Sequence, residues 1–279
     1  MIRILVDSSS DYTLEESKLK HMEYVPITVS LDGENYRDGV DATREELYEK
    51  LISCKDFPKT AQPSPQEFLS IFEEVKAQGD EIICIMLSSA LSGTCQSAHL
   101  ARTMADYDGI HIIDSLTVTY PIRIMAEYAM ELRDAGMPAA EIVRKVEELR
   151  PRIRVVAALD TLEYLHRGGR LSAAAAAVGT LANLKPVIQI TEDGKVGMLA
   201  KCLGKIKAQK ALIDWVQDKQ VDIAFPFYTI YSCGSESCEK LEDKLTALGY
   251  SIDERMQIGL SIGAHIGPGA SGVVFVEKA

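Results

Sequence analysis

The first half of the chain alternates short, almost wholly apolar runs with longer stretches in which apolar and charged residues recur at helical spacing. "IRILV" (2–6), "EIICIML" (81–87), "GIHIID" (109–114) and "IRVVAALD" (153–160) have the length and continuity of strands buried on both faces. Between them the helix signals are strong. Ser64-Pro65-Gln66-Glu67 forms a capping box with proline at the first helical position, ahead of "FLSIFEEVKAQG", where Gly79 marks the stop. Thr43 and Glu46 form a second box ahead of "LYEKLIS". "PIRIMAEYAMELRDAG" and "AAEIVRKVEELR" carry an apolar stripe that predicts helices covering one face of a sheet. Strand and helix in alternation predict an α/β fold with a mostly parallel sheet flanked by helices.

After Ile153 the pattern changes. "VIQIT-EDGK-VGMLA" sets Asp193-Gly194 between two strand-like runs, a hairpin signal that implies antiparallel pairing. "KIKAQKALIDWVQDKQ" and "ESCEKLEDKLTALG" read as helices. The expectation is an N-terminal α/β domain over residues 1–155 and a smaller, mixed α+β domain over 156–279. No linker rich in Gly, Pro or Ser separates them, so the boundary is soft, the segments can interleave, and a broad interface between domains is where a ligand belongs.

At 279 residues and 47% hydrophobic composition the chain can bury a full core. Its net charge of -11 repels phosphate backbones and anionic lipid headgroups, which argues against nucleic acid as a partner. No apolar run approaches the ~18 residues needed to span a bilayer. "MIRILVDSSSD" turns polar after Val6, too soon for a signal peptide, so a cytoplasmic location is expected. The six cysteines contain no C-x-x-C pair and read as reduced, small core residues rather than as a zinc or redox site.

"GLSIGAHIGPGASG" (259–272) matches two functional signatures and satisfies neither. Gly259 to Gly263 fits the G-x-S-x-G elbow of esterases, but after Ser261 only His265 and Glu277 remain, in the wrong order for the triad. Gly267 to Gly272 fits the dinucleotide fingerprint G-x-G-x-x-G, but a strand and the last residues follow instead of a helix and a distant acid. What survives is a histidine among glycines, expected as a tight loop against which something sits. A loop shaped only to pack the last strand would read the same way.

Three more junctions are rich in hydroxyls: "VDSSSD" (6–11), "KTAQPSP" (59–65) with Thr60 and Gln62, and "LSSALSGTCQSA" (87–98) with Ser88, Ser89, Ser92, Gly93 and Thr94. Each alone reads as a helix cap. At the carboxyl ends of parallel strands they are expected to gather at one rim, as a neutral cluster suited to a carboxylate or phosphate. "DTLEYLHRGGRLSAAAAAVGTLANLKP" (160–186) adds Arg167 and Arg170 beside a helix of small residues starting at Ser172, which either packs closely or walls a narrow apolar space.

In their order and separations, "TAQPSP", "LSSALSGTCQSA", "DTLEYLHRGGRLS" with the following "KP", and "IGAHIGPGASG" resemble the DegV family of bacterial fatty-acid-binding proteins, and "VDSSSD" fits that family's start. The resemblance spans essentially the whole chain. It implies two α/β domains with a long-chain fatty acid such as palmitate between them, its tail in an apolar tunnel and its carboxyl at polar loops. Carried over by motif, the carboxyl contacts are Thr60, Ser92 and His265, with Gln62, Ser89, Gly93, Arg170 and Gly267 nearby. The resemblance also implies a non-enzymatic role as the acyl-carrying subunit of a fatty acid kinase, which presents the carboxyl to a separate ATP-binding subunit. Two positions depart from the family pattern. Ala61 stands where a serine is usual, and Leu203 aligns with a common arginine, removing a cation expected near the head group.

No G-x-x-x-x-G-K-[ST] loop occurs, and no carboxylate cluster has metal-ligand spacing, so neither a nucleotide cofactor nor a metal is expected. The leading function is lipid carriage. The alternatives are an enzyme acting on a small phosphorylated or hydroxylated metabolite at the same cleft, and a structural or regulatory protein with a vestigial pocket.

Overall fold

In a computed structural model that describes residues 1–171 and 183–279, all four runs of strand length are strands. The first half comprises β1 (Ile2–Asp7), α1 (Leu14–Leu19), β2 (Glu23–Val25), β3 (Thr28–Leu31), β4 (Glu34–Arg37), α2 (Arg44–Ser53) and β5 (Lys59–Ala61). It continues with α3 (Pro65–Gln78), β6 (Glu81–Met86), α4 (Thr94–Ala105), β7 (Ile110–Asp114), α5 (Tyr120–Asp134) and α6 (Ala139–Leu149). The second half comprises β8 (Ile153–Ala158), α7 (Glu163–Arg167), β9 (Leu184–Ile190), β10 (Val196–Leu203) and α8 (Lys205–Gln217). After these come β11 (Tyr228–Tyr231), α9 (Glu236–Ala247), β12 (Glu254–Gln257), α10 (Leu260–Ile266) and β13 (Ser271–Val276). Residues 172–182, most of the expected small-residue helix, lie outside the described part.

The four-stranded sheet, in the order β2-β1-β6-β7, is wholly parallel, as the apolar runs implied. Its pleat sorts alternate residues onto two cores. Leu5, Ile82, Cys84 and Met86 face Phe68 and Phe72 of α3 and Ala98 and Ala101 of α4. Ile4, Val6, Ile83 and Ile85 face Met125 and Ala129 of α5 and Ile142 and Val146 of α6.

That second core does not end at the helices. It continues through Val155 and Ala157 of β8, Ile188 of β9 and Val274 and Val276 of β13. The helix α5 thus lies between the parallel sheet and a mixed six-stranded sheet ordered β10-β9-β8-β13-β11-β12. The far face of the mixed sheet packs Val156, Val273 and Phe275 on Leu212 and Val216 of α8 and Leu241 and Leu245 of α9. The expected hairpin is present as β9–β10, closed where Gly194 adopts φ +76. Its tip docks on the first half, where the Ser88 hydroxyl donates to the Gly194 carbonyl at 2.8 Å.

Two features depart from the sequence reading. A third sheet, β4-β3-β5, occupies part of the segment between the first two strands expected from the sequence. Its strands are at most 4 residues long, too short to give a periodicity. The glycine-rich stretch near the end is not one tight loop, because its first part is the helix α10. Leu260 and Ala264, one turn apart, lie in the small core of Val29, Leu47 and Tyr48. Ile262 and Ile266, also one turn apart, belong to the central core. Gly263 serves close approach rather than looping, since a Cβ there would fall 2.3 Å from the Tyr48 hydroxyl. A helix from the end of the chain therefore seats on a sheet from its beginning.

Candidate functional site

Between the two halves lies a cavity of about 770 Å³, counting the open space at its mouth. The first half contributes Ile27, Thr60, Gln62, Leu87, Leu91, Ser92, Gly93 and Val118. The second contributes Leu165, Arg170, Ile188, Ile190, Val196 and the α10 residues Ser261, Ile262, His265 and Ile266. The wall is aliphatic except for a small set of polar side chains.

Those polar groups are neighbours rather than scattered. The alternation of β5 exposes Lys59 and Ala61 and turns Thr60 inward. There its Oγ1 lies 2.9 Å from His265 Nε2. The His265 ring is backed by Gly168, where a Cβ would come within 2.5 Å of Nδ1. Arg170, two residues on, donates from Nε to the Leu91 carbonyl at 3.1 Å, next to Ser92. The Ser92 hydroxyl shares a hydrogen bond of 2.9 Å with Thr94 at the start of α4. Gly93 lies beneath the Gln62 amide, which would collide with any side chain there, and Gln62 donates onward to Ser97 at 2.9 Å.

Burial pushes the His265 pKa down to about 4, and the positive charge of Arg170 adds to the shift, so the imidazole is neutral at neutral pH. Its Nδ1 is buried and has no hydrogen-bond partner among the described residues. In the tautomer with its single proton on Nε2, the ring would donate to Thr60 and leave the Thr60 hydroxyl hydrogen free to turn into the cavity.

Six of the residues named from sequence, Thr60, Gln62, Ser92, Gly93, Arg170 and His265, line this one cavity. Ser89 and Gly267 do not. Ser89 is exposed, with its N–H on the Asp114 carboxylate at 3.1 Å. Gly267, at φ +74, ends α10 against the Tyr164 ring. The serines of "VDSSSD" do not join the rim. Ser8, Ser9 and Ser10 form a buried 3-10 turn whose hydroxyls serve the backbone and Asp7. Ser8 Oγ accepts from Ile27 N–H at 2.9 Å, and Ser10 Oγ donates to the Asp7 carbonyl at 2.6 Å. Leu203, where the resemblance leads one to expect arginine, ends β10 and is 58% exposed.

The individual residues of the aliphatic wall carry no mark in the sequence, and Ser261, which fits only the esterase elbow there, lines the cavity instead. Ile262 and Ile266 lie one helical turn apart beside His265, a spacing that the surrounding glycines disguise. The buried acids Asp11 and Asp38, which hold that helix, are not marked for that role in the sequence, where Asp11 only closes "VDSSSD" and Asp38 falls in no motif.

A family model described as "Uncharacterised protein, DegV family" matches residues 1–278. A DegV domain-containing protein of Caldanaerobacter subterraneus subsp. tengcongensis is 38% identical over 279 residues, covering 99% of each chain. Among solved structures, a DegV family protein from Thermus thermophilus, described by its fatty acid binding, superposes with a TM-score of 0.88 at 30% identity, covering 99% of both chains. A fatty-acid-binding protein from Eubacterium ventriosum, described with stearic acid, superposes at 0.82 with 27% identity, covering 100% of this chain and 99% of its own. With its fold, its cavity between two halves and its end-to-end match in accord, the chain belongs to the DegV family.

Proposed function

We propose that the protein binds a long-chain fatty acid in the cavity between its halves and presents the carboxyl to a separate ATP-binding kinase subunit. The observation that carries the first part is the Thr60–His265 pair set, with a few polar neighbours, into a mostly aliphatic wall. Relatives described as binding fatty acids, one of them stearic acid, support the same reading. The second part is supported by the motifs shared with the family.

The tail supplies the affinity. Burying an acyl chain gains ~0.8 kcal/mol per methylene, so a palmitoyl tail has a gross driving force on the order of 10 kcal/mol before ordering costs. The head supplies register. Hydroxyls from Thr60 and Ser92 donate to the carboxyl, neutral His265 holds Thr60 in place, and Arg170 offsets the carboxylate charge.

Four outcomes follow. Palmitate raises the melting temperature in differential scanning fluorimetry, while octanoate at equal free concentration raises it far less. Equal shifts contradict a long apolar site. In titration calorimetry, Thr60→Val and Ser92→Ala each weaken palmitate binding by ~1–2 kcal/mol, the cost of a missing partner for a buried polar group. Unchanged affinity in both moves the carboxyl elsewhere. In a reconstituted assay with labelled ATP, acyl phosphate forms only when a kinase subunit is added, and product made by this chain alone contradicts the carrier role.

The fourth outcome concerns pH. His265, at about 4 against an ordinary 6.5, contributes stability that is present above the ordinary value and lost as pH falls toward the lower one. Asp11, raised by burial to about 7 from 3.8, contributes stability that is present below its ordinary value and lost as pH rises through 7. In the window they share, the two offset each other. His265→Gln removes one of them, so in urea denaturation the variant gains stability relative to its parent as pH falls from about 6.5 to about 4.5. A constant difference across that range contradicts a buried, neutral histidine.

A further inference from the structure

The first turn of α10 is held by two buried carboxylates from the opposite end of the chain. Asp38, 2% exposed, accepts the Leu260 N–H through Oδ1 at 3.1 Å and the Ser261 N–H through Oδ2 at 2.9 Å. Asp11, 1% exposed, accepts the Gly259 N–H through Oδ1 at 2.8 Å and the Thr119 hydroxyl through Oδ2. Gly259 fits between them because it has no side chain, as a Cβ would lie 2.9 Å from Asp11 Oδ1 and 3.2 Å from Asp38 Oδ2. The residues just before are tied as well. Arg44 donates to the Gln257 carbonyl at 2.8 Å, Tyr120 to the same carbonyl at 2.7 Å, and Tyr48 to the Ile258 carbonyl at 2.9 Å.

This is far more than a short helix needs. A single serine or asparagine satisfies an N-terminal turn, whereas two buried carboxylates carry a desolvation cost and repel each other. Arg44 and Tyr48 from α2, Tyr120 and Arg123 from α5, Glu16 from α1 and Tyr24 from β2 surround the pair, and only the two arginines are cations. What the arrangement adds over a simple cap is direction. Separate oxygens fix three successive N–H vectors, which sets the rotation of α10 about its axis. Asp11 also ties α10 to a second part of the cavity wall. Its partner Thr119 follows the wall residue Val118 and sits at φ +58, a conformation a β-branched residue keeps only when its surroundings impose it.

We infer that Asp11 and Asp38 are positioning residues for His265: they set the rotation of α10 that points His265 at Thr60 and turns Ile262 and Ile266 to the cavity. The consequence for ligands rests on the fatty-acid reading, whereas the placement of His265 does not.

Two variants of the full-length protein test this. Asp38→Asn sets an amide N–H₂ against one of the two backbone donors, and Gly259→Ala wedges the carboxylates apart without changing charge. In the ligand-free protein, the His265 imidazole carbons are followed by NMR against pH. The parent ring stays neutral across the range in which free histidine titrates, about 5.5 to 7.5, while both variants admit water and titrate within it. Binding of palmitate and of 1-hexadecanol, which shares the tail but lacks the carboxyl, is then compared. Both variants lose about tenfold or more in palmitate affinity and lose measurably less for hexadecanol, which meets the displaced Ile262 and Ile266 but makes no carboxyl contact. The inference is overturned if the ring in the folded Gly259→Ala variant behaves as in the parent, or if both ligands weaken equally. A parent that binds neither ligand sinks the fatty-acid reading, and the imidazole titration still decides the role of the two acids.

Discussion

The hydrogen bond between Thr60 and His265 joins residues 205 positions apart and can form only if three independent placements agree. The short strand β5 must turn Thr60 inward. The helix α10 must cross back from the mixed sheet to the small antiparallel one. Its rotation must then bring His265, rather than its neighbours, to the threonine. The cavity is built on the same agreement, because Ile262 and Ile266 share that rotation. A site assembled this way is not a loop added to a finished scaffold, since its walls are also the contact between the halves.

Burial then determines the chemistry. The imidazole is too deeply enclosed to hold a second proton near neutrality, so it acts as a hydrogen-bonding partner rather than as a cation. Positive charge at the wall falls to Arg170, whose guanidinium is braced by the Leu91 and Gly168 carbonyls. A neutral hydroxyl pair with one adjacent cation suits a lone carboxylate at the end of an apolar tail. A polyphosphate would meet the opposing field of a chain whose net charge is -11.

The sequence made the frame legible because its signals are local. Continuous apolar runs, the boxes at Ser64 and Thr43 and the Asp193-Gly194 turn each report on a few adjacent residues, and each appears where expected. The site was legible through its motifs, which singled out Thr60, Ser92 and His265 without showing what joins them. Four things were hidden. Strands of three or four residues carry no periodicity. The glycines of α10 mimic a loop, although Gly263 is there for the Tyr48 hydroxyl. The serines after β1 look like a ligand rim but are consumed by their own turn, and only tertiary packing decides between those outcomes. Nothing local marks Asp11, at the end of "VDSSSD", or Asp38 as a helix anchor, and their meaning arises from partners more than 200 residues away.

The most direct measurement of the central claim is mass spectrometry of the purified protein after denaturation, with the released small molecules identified. A cavity built for an acyl chain retains lipid from the host cell, so the account predicts a long-chain fatty acid in near-stoichiometric amount, reduced when Thr60 is replaced by valine. Release of a phosphorylated or polyhydroxylated metabolite instead, with no fatty acid, would contradict it.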